Sequence, residues 1–366
     1  MKKASLLITA LFSTAAMLAE NIPVSEKPMI EQKFFEEQYS LYRAHFSKNA
    51  PAKVDPAPQM EKEFQFQGLK VQVLSYQVEA DERIRGYLVF PKKMTPGEKR
   101  PLVLCLHGTS LYGKDAPLGY LAAYAPAKNK TEENKRINRM QALHLAQRGF
   151  ICFLPDRAGY GVRRPPEYKN ITHNAAKAQN AYIKEHAKNH PGWDYRRGKV
   201  IHDLQQALDF LVKMPEIDGE KIGVIGHSLG GTDSAELAAA DKRIKAAVVS
   251  CGGGITFRPE LWNDPAALKE AVKKFLIMPE ERNLTFQAII PRGIFLLVGV
   301  TDKYSPQSMM HSTRIFRDCY LARMSRKEFE KRQPFVVMLH SAGHDMPEYV
   351  RDAMYRWLEM QLMSPR

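Results

Sequence analysis

The sequence predicts a mostly parallel, doubly wound α/β sheet flanked by helices and opened by an antiparallel strand pair. Two observations carry this reading. From residue 101 onward, short continuous apolar runs alternate with segments of helical periodicity. The runs are bounded by Gly or Pro and suit strands buried on both faces of a parallel sheet. Alternation of that kind sets successive strands side by side, with helices crossing between them.

Residues 1–19 stand outside the fold. Lys2 and Lys3 give a positive start, Leu6 to Ala19 is uncharged and mostly apolar, and small residues gather at its end. That is the pattern of a secretory signal peptide, cleaved after Ala19 or after Ala16. The apolar run is shorter than the ~20 residues a spanning helix needs. No cysteine follows it to carry a lipid. The expectation is an exported protein, periplasmic or extracellular, with no stable membrane anchor once the signal is removed.

Residues 20–65 read as an N-terminal arm. Ile30, Phe34, Phe35, Leu41 and Tyr42 recur near helical spacing, and the Pro-containing stretch 51–58 ends that helix. Residues 66–366 form the main domain. Alternating Val71 and Val73, then Ile84, Tyr87 and Val89, bracket a polar turn at 79–82 and predict the strand pair over 69–91. Apolar runs at 102–106, 151–154, 222–226, 244–250, 294–300 and 335–339 predict the parallel strands. Helical stretches fall near 131–148, 194–213, 229–240, 306–322 and 347–362. Val200, Leu204, Leu208 and Leu211 mark the apolar stripe of one helix; Val350, Met354, Trp357 and Leu358 mark another. Two insertions, 162–193 and 252–291, leave from the carboxyl ends of strands, where open parallel sheets bind ligands. They are expected to wall a pocket.

Composition narrows the partners. Of 366 residues, 44% are hydrophobic and 26% charged, which excludes a disordered, collagen-like or coiled-coil chain. The 54 Lys and Arg against 40 Asp and Glu leave a net charge of +14, which favours anionic partners. The charge is spread along the chain without a nucleic-acid motif, so nucleic acid is not expected. Cys105 and Cys152 lie inside apolar runs and read as buried thiols; one disulfide among Cys105, Cys152, Cys251 and Cys319 stays open. His186 with His190, and His340 with His344, have i, i+4 spacing but no accompanying metal-ligand set. Neither metal nor cofactor is expected.

The chemistry centres on Gly226-His227-Ser228-Leu229-Gly230-Gly231, between an apolar run and an Ala-rich helix. A serine at so tight a strand-to-helix turn is held in strain with its hydroxyl above the sheet, and the glycines relieve close packing. Its hydroxyl needs a base, and the base needs a carboxylate to fix its tautomer. In the chain order expected of this turn, Asp302 follows the run 294–300, and His344 lies in the loop after the last run. Asp345, Asp233 and Asp156 are weaker candidates for the acid, and His340 for the base. The Leu229 amide at the helix start suits one half of an oxyanion hole. His107-Gly108-Thr109 follows the first parallel strand, and the Thr109 amide suits the other half.

These residues resemble the α/β-hydrolase superfamily, within it the dienelactone-hydrolase-like and acetyl-xylan-esterase-like bacterial branch, related to prolyl-oligopeptidase catalytic domains. The resemblance rests on His107-Gly108, Asp156-Arg157-Ala158-Gly159-Tyr160-Gly161, Gly226 to Gly231, Leu297-Val298-Gly299 through Asp302, and Gly343-His344, and spans about 69–362. It implies Ser228 as nucleophile, Asp302 as acid and His344 as base. Dienelactone hydrolases proper use a cysteine nucleophile, so the serine argues against that activity. The expected function is a secreted serine esterase acting on a carbohydrate or small-molecule ester. The alternatives are a prolyl-oligopeptidase-like serine peptidase and a hydrolase-fold protein that binds without catalysis. Cations of the first insertion, among them Arg163, Arg164, Arg196 and Arg197, suit an anionic or polyhydroxy substrate, and equally a solvated surface loop.

Overall fold

A computed structural model of the chain describes residues 32–120, 126–170, 174–252, 285, 288–302, 317, 320, 321 and 323–364. The signal segment, most of the second insertion, most of the helix expected near 306–322 and Cys319 lie outside the described residues.

The sheet is built from β1 (Gln59–Phe66), β2 (Leu69–Glu79), β3 (Glu82–Val89), β4 (Arg100–Leu106), β5 (Ile151–Pro155), β6 (Ile217–His227), β7 (Ile244–Ser250), β8 (Gly293–Gly299) and β9 (Phe335–His340). Their order across the sheet is β1-β2-β3-β5-β4-β6-β7-β8-β9. The first three are antiparallel to one another, and β3 is antiparallel to β5; every later pairing is parallel. The strands β4, β5 and β8 are apolar because both of their faces are covered. Strand β1 falls in the stretch read as an arm without strands. Its sequence is charged and largely exposed, as suits an edge strand, so it carries little hydrophobic signal.

The helices described are α1 (Gln32–Ser47), α2 (Lys130–Asn138), α3 (Gln141–Gln147), α4 (Ala175–His186), α5 (Gly198–Leu211), α6 (Leu229–Ala240), α7 (Arg326–Arg332) and α8 (Glu348–Leu362), besides shorter turns. Along β4 the side chains alternate between two cores. Leu102, Leu104 and Leu106 pack with Tyr42 of α1, Leu204 of α5 and Leu237 of α6. Val103 and Cys105 join Leu145 of α3 and Trp357 of α8 on the other face. Helices therefore cover both faces, as the doubly wound pattern requires.

One expected helix, 131–148, is two. Helix α2 buries no residue, whereas α3 buries Ala142, Leu143, Leu145 and Ala146. A solvated helix and a core helix demand different orientations, and the chain turns between them at Arg139 and Met140, whose backbones leave helical geometry. Cys105, Cys152 and Cys251 are buried free thiols.

Candidate active site

The turn from β6 to α6 holds Ser228 at φ 59° and ψ −119°. A non-glycine residue in such a conformation costs about 1–3 kcal/mol and persists only when its surroundings over-determine it. Here the surroundings are backbone. The Ser228 N–H donates to Ser250 O at 2.8 Å, and the Ser228 carbonyl accepts from Thr232 N–H at 3.1 Å. A Cβ on Gly226 would stand 2.1 Å from the Gly230 carbonyl oxygen, and one on Gly230 would stand 2.4 Å from Leu106 O. Only glycine fits at either place.

His344 and Asp302 come from the ends of the last two strands. Asp302 follows β8 in a turn closed by its N–H to Gly299 O at 3.0 Å. His344 follows β9. Its Nδ1–H donates to Asp302 Oδ2 at 2.8 Å, with the carboxylate buried and the imidazole one-third exposed. The His344 ring lies 4.6 Å from the ring of His227, the residue before Ser228. Ser228 and His344 line one cavity. The Cys251 thiol, an Asp302 oxygen and a His344 ring nitrogen lie within 4.8 Å of one another. Burial, reinforced by the Asp302 charge, pushes that thiol up to about 12, so it stays protonated beside the pair.

The weaker candidates for the acid have other partners. Asp345 Oδ2 accepts from Asn138 Nδ2 at 2.9 Å. Asp233 is paired with Arg157 at 2.7 Å. Asp156 takes the Lys114 ammonium at 2.7 Å and the backbone N–H of Lys114 and of Val162, tying together the turns after β4 and β5. His340 is buried at the end of β9, and neither ring nitrogen has a hydrogen-bond partner.

The loop after β4 leans on the Ser228 turn. A Cβ on Gly108 would stand 3.0 Å from His227 O and 3.4 Å from Ser228 Cβ. His107 braces that loop. Its Nε2 accepts the Arg157 N–H at 3.1 Å, which assigns the proton to Nδ1, and Nδ1–H donates to the Gly108 carbonyl at 2.8 Å. Burial holds the His107 pKa below its ordinary value and keeps the ring neutral, as one donor and one acceptor require. In a trans peptide the carbonyl and the next N–H point to opposite sides. Drawing the Gly108 carbonyl toward His107 therefore turns the Thr109 N–H away from it, and Thr109 lines the same cavity as Ser228.

That cavity has a volume of about 700 Å³. Asn174 to Ala176, in the first insertion, form part of its wall; the matching part of the second insertion lies outside the described residues. The four arginines named for the first insertion and its C-terminal flank are spent on structure, while Lys169, Lys177, Lys184 and Lys188 are exposed. Arg163 is buried against Glu82 at 2.7 Å and Asp203 at 2.8 Å, and Arg197 pairs with Glu236 at 2.6 Å. Arg164 donates to the carbonyls of Gly161 and Tyr168, and Arg196 to Asn180. The cations in the wall are instead Lys135, Arg136 and Arg139, which fall in the helix expected near 131–148 and carried no functional expectation. Their signal was the spacing, which puts Lys135 and Arg139 on one side just where the helix breaks.

Among the described residues, one other cluster has a metal-like donor set. Oxygens of Glu79, Glu82 and Asp203 lie within 4.8 Å of one another. Lys199 Nζ stands between them at 2.5, 2.6 and 2.7 Å, so their charge is met by an ammonium.

A mostly parallel sheet with a serine at the strained turn after an inner strand defines the class of α/β hydrolase folds. Residues 103–362 match the model of the Alpha/beta hydrolase family, and the chain belongs to that family. Among solved structures it is similar to a glucuronoyl esterase from Solibacter usitatus, at 12% identity and a TM-score of 0.63, covering 92% of this chain and 95% of that one. It is also similar to an acetyl xylan esterase from Paenibacillus sp. R4, at 19% identity and a TM-score of 0.53, covering 92% and 96%. A third is a putative acetyl xylan esterase from Bacteroides fragilis, at 16% identity and a TM-score of 0.59, covering 90% and 82%. At these identities the likeness is one of fold. No curated protein matches the chain in sequence.

Proposed function

We propose that the chain is a secreted serine hydrolase that cleaves carboxylic esters, with Ser228 as nucleophile, His344 as base and Asp302 as the acid that orients it. The observation that carries this reading is the 2.8 Å hydrogen bond from His344 to buried Asp302 beside the cavity that His344 shares with Ser228. The carboxylate fixes the proton on Nδ1 and leaves Nε2 to take the Ser228 proton. Ser228 Oγ then adds to the ester carbonyl. The Leu229 and Thr109 amides take up the negative charge that develops on the carbonyl oxygen. His344 returns its proton to the departing alcohol, and water repeats the cycle on the acyl-enzyme.

Esters rather than amides are favoured by the names of the similar structures, which are glucuronoyl and acetyl xylan esterases. Carbohydrate or small-molecule esters are the substrate class of this reading. Export rests on the N-terminal pattern of Lys2, Lys3 and the apolar run. Among the described residues no helix is long and apolar enough to cross a membrane.

The test is a fluorophosphonate probe and short-chain nitrophenyl esters applied to protein recovered from outside the cytoplasm, beside Ser228→Ala. Labelling at Ser228 and a loss of at least about a thousandfold in kcat for the variant are expected. Turnover that survives Ser228→Ala would sink the mechanism. Protein retained in the cytoplasm with Met1 intact would sink the export.

A further inference from the structure

Arg139 stands apart from the other arginines that structure this domain. It is half-buried, at the break between α2 and α3, and it lines the cavity that holds Ser228 and His344. Arg157, Arg163, Arg197 and Arg243, comparably placed, each hold a carboxylate at 2.6–2.8 Å. Arg139 holds none, and among the described residues no hydrogen bond reaches its guanidinium; Nε is sealed from solvent without a partner. Asp345, whose charge acts on Arg139, binds Asn138 through Oδ2 and forms no ion pair with the guanidinium, its Oδ1 being buried without a partner. Burial lowers the Arg139 pKa and Asp345 opposes that shift, but a guanidinium stays charged throughout the working pH range.

A partly desolvated, charged side chain without a partner is costly, and such a group persists where a ligand supplies the missing contact. Nε is sealed, so the terminal nitrogens are the part of the fork that faces the cavity, and that edge matches the two oxygens of a carboxylate. The rest of the wall is consistent with an anion. Lys135 lines it as a further cation, while Glu132, the one carboxylate among the lining residues, is engaged by Arg136 at 2.8 Å. His227, which Arg139 faces from the other side, is neutral: burial first and then the Arg139 charge keep its pKa well below the ordinary value.

We infer that Arg139 is a specificity-determining residue that binds a carboxylate carried by the substrate beside the scissile ester. The substrate class is then an acidic ester, such as a partly esterified polycarboxylate or acidic saccharide, rather than a neutral one. This rests on the serine-esterase reading above and adds to it the charge of the substrate.

The test uses ester pairs that differ by one carboxylate: 4-nitrophenyl butyrate against 4-nitrophenyl hemisuccinate for the acyl side, and phenyl acetate against 4-acetoxybenzoate for the alcohol side. For at least one pair the full-length protein is expected to prefer the charged member about tenfold in kcat/KM, through KM, with the preference falling as salt rises. Arg139→Gln is expected to erase the charged-to-neutral ratio, and Arg139→Lys, which keeps the charge and loses the fork, to restore part of it. Ratios that are the same in all three proteins for both pairs would overturn the proposal. Should Arg139→Gln not fold, the salt dependence of the ratio in the wild type and Arg139→Lys decides alone. Loss of neutral-ester turnover in Ser228→Ala reads the parent mechanism separately, so the two cannot fail as one.

Discussion

At the scale of single residues, His107 holds the loop after β4 as a neutral ring. It binds the Gly108 carbonyl and the Arg157 N–H at once, and it can do so only in one tautomer. In the proposed mechanism this makes it a positioning residue for the Thr109 amide. Removing one oxyanion donor outright costs about 10²–10³ in rate, and misdirecting one costs less. His107→Ala is therefore expected to lower kcat about ten- to a hundredfold while KM moves little, because the oxyanion exists only in the transition state. His107→Asn, whose amide restores a donor toward Gly108, should recover part of kcat. Steady-state kinetics on both variants check this; a change carried by KM alone would refute the positioning role. His107-Gly108 was legible in the sequence as a turn after a strand. Its bond to Arg157 was not, because those residues lie 50 positions apart. Ser228, Asp302 and His344 were legible for the opposite reason: each stands at a strand end marked by its own apolar run.

Among the elements, what patterning missed is what packing decides. The strands β4 to β8 announce themselves as apolar runs because those runs are buried on both faces, and β9 keeps an apolar run although it is an edge strand with Leu339 exposed. Edge strand β1 is polar, and helix α4 lies in a stretch whose polar, basic sequence reads as loop. The α2–α3 break was unreadable because periodicity continues through Met140; burial distinguishes the two halves and composition does not. The element that joins the antiparallel hairpin to the parallel sheet is equally hidden. Glu79 and Glu82, flanking the β2–β3 turn, meet Lys199 and Asp203 of α5 and Arg163 after β5. Burial opposes charge there, yet Arg163 and Lys199 hold the Glu82 carboxyl below its usual range, and the three carboxylates hold Lys199 above its own. Lys199 is fully buried, so Lys199→Met would leave Glu82 and Asp203 with Arg163 and Glu79 with His190 at 3.2 Å, without the ammonium that joins all three. Removing one partner from a buried ionic cluster costs about 3–5 kcal/mol. Urea unfolding of Lys199→Met should show a midpoint lowered to match, and stability within about 0.5 kcal/mol of the wild type would refute the account.

For the whole molecule, the sheet gathers chemistry at one edge and leaves a titration pattern through the body. His107, His144, His202, His227 and His340 all have pKa values below the ordinary 6.5, in each case first because burial disfavours the charged ring. In the unfolded chain they titrate near 6.5, so below that pH the unfolded state binds more protons than the folded one. Their contribution is present above pH 6.5 and is lost as the pH falls below it. Glu236 acts in the opposite sense. Burial, only partly offset by Arg197, pushes its carboxyl up to about 7, so the folded state takes up a proton that the unfolded chain releases until about 4.5. Acidification from pH 7 to 4.5 is thus stabilising through Glu236 and destabilising through these histidines. The net charge of +14 grows over the same range and adds self-repulsion on the side of the histidines. The histidines are expected to win, with the melting temperature falling by several degrees between pH 6.5 and 4.5. Glu236→Gln removes the opposing group found among the described residues, so its melting temperature should fall more steeply over the same interval. Thermal scans of both proteins at matched ionic strength test the sign directly. A Glu236→Gln variant whose melting temperature holds or rises on acidification would mean that the buried rings titrate with the folded protein intact.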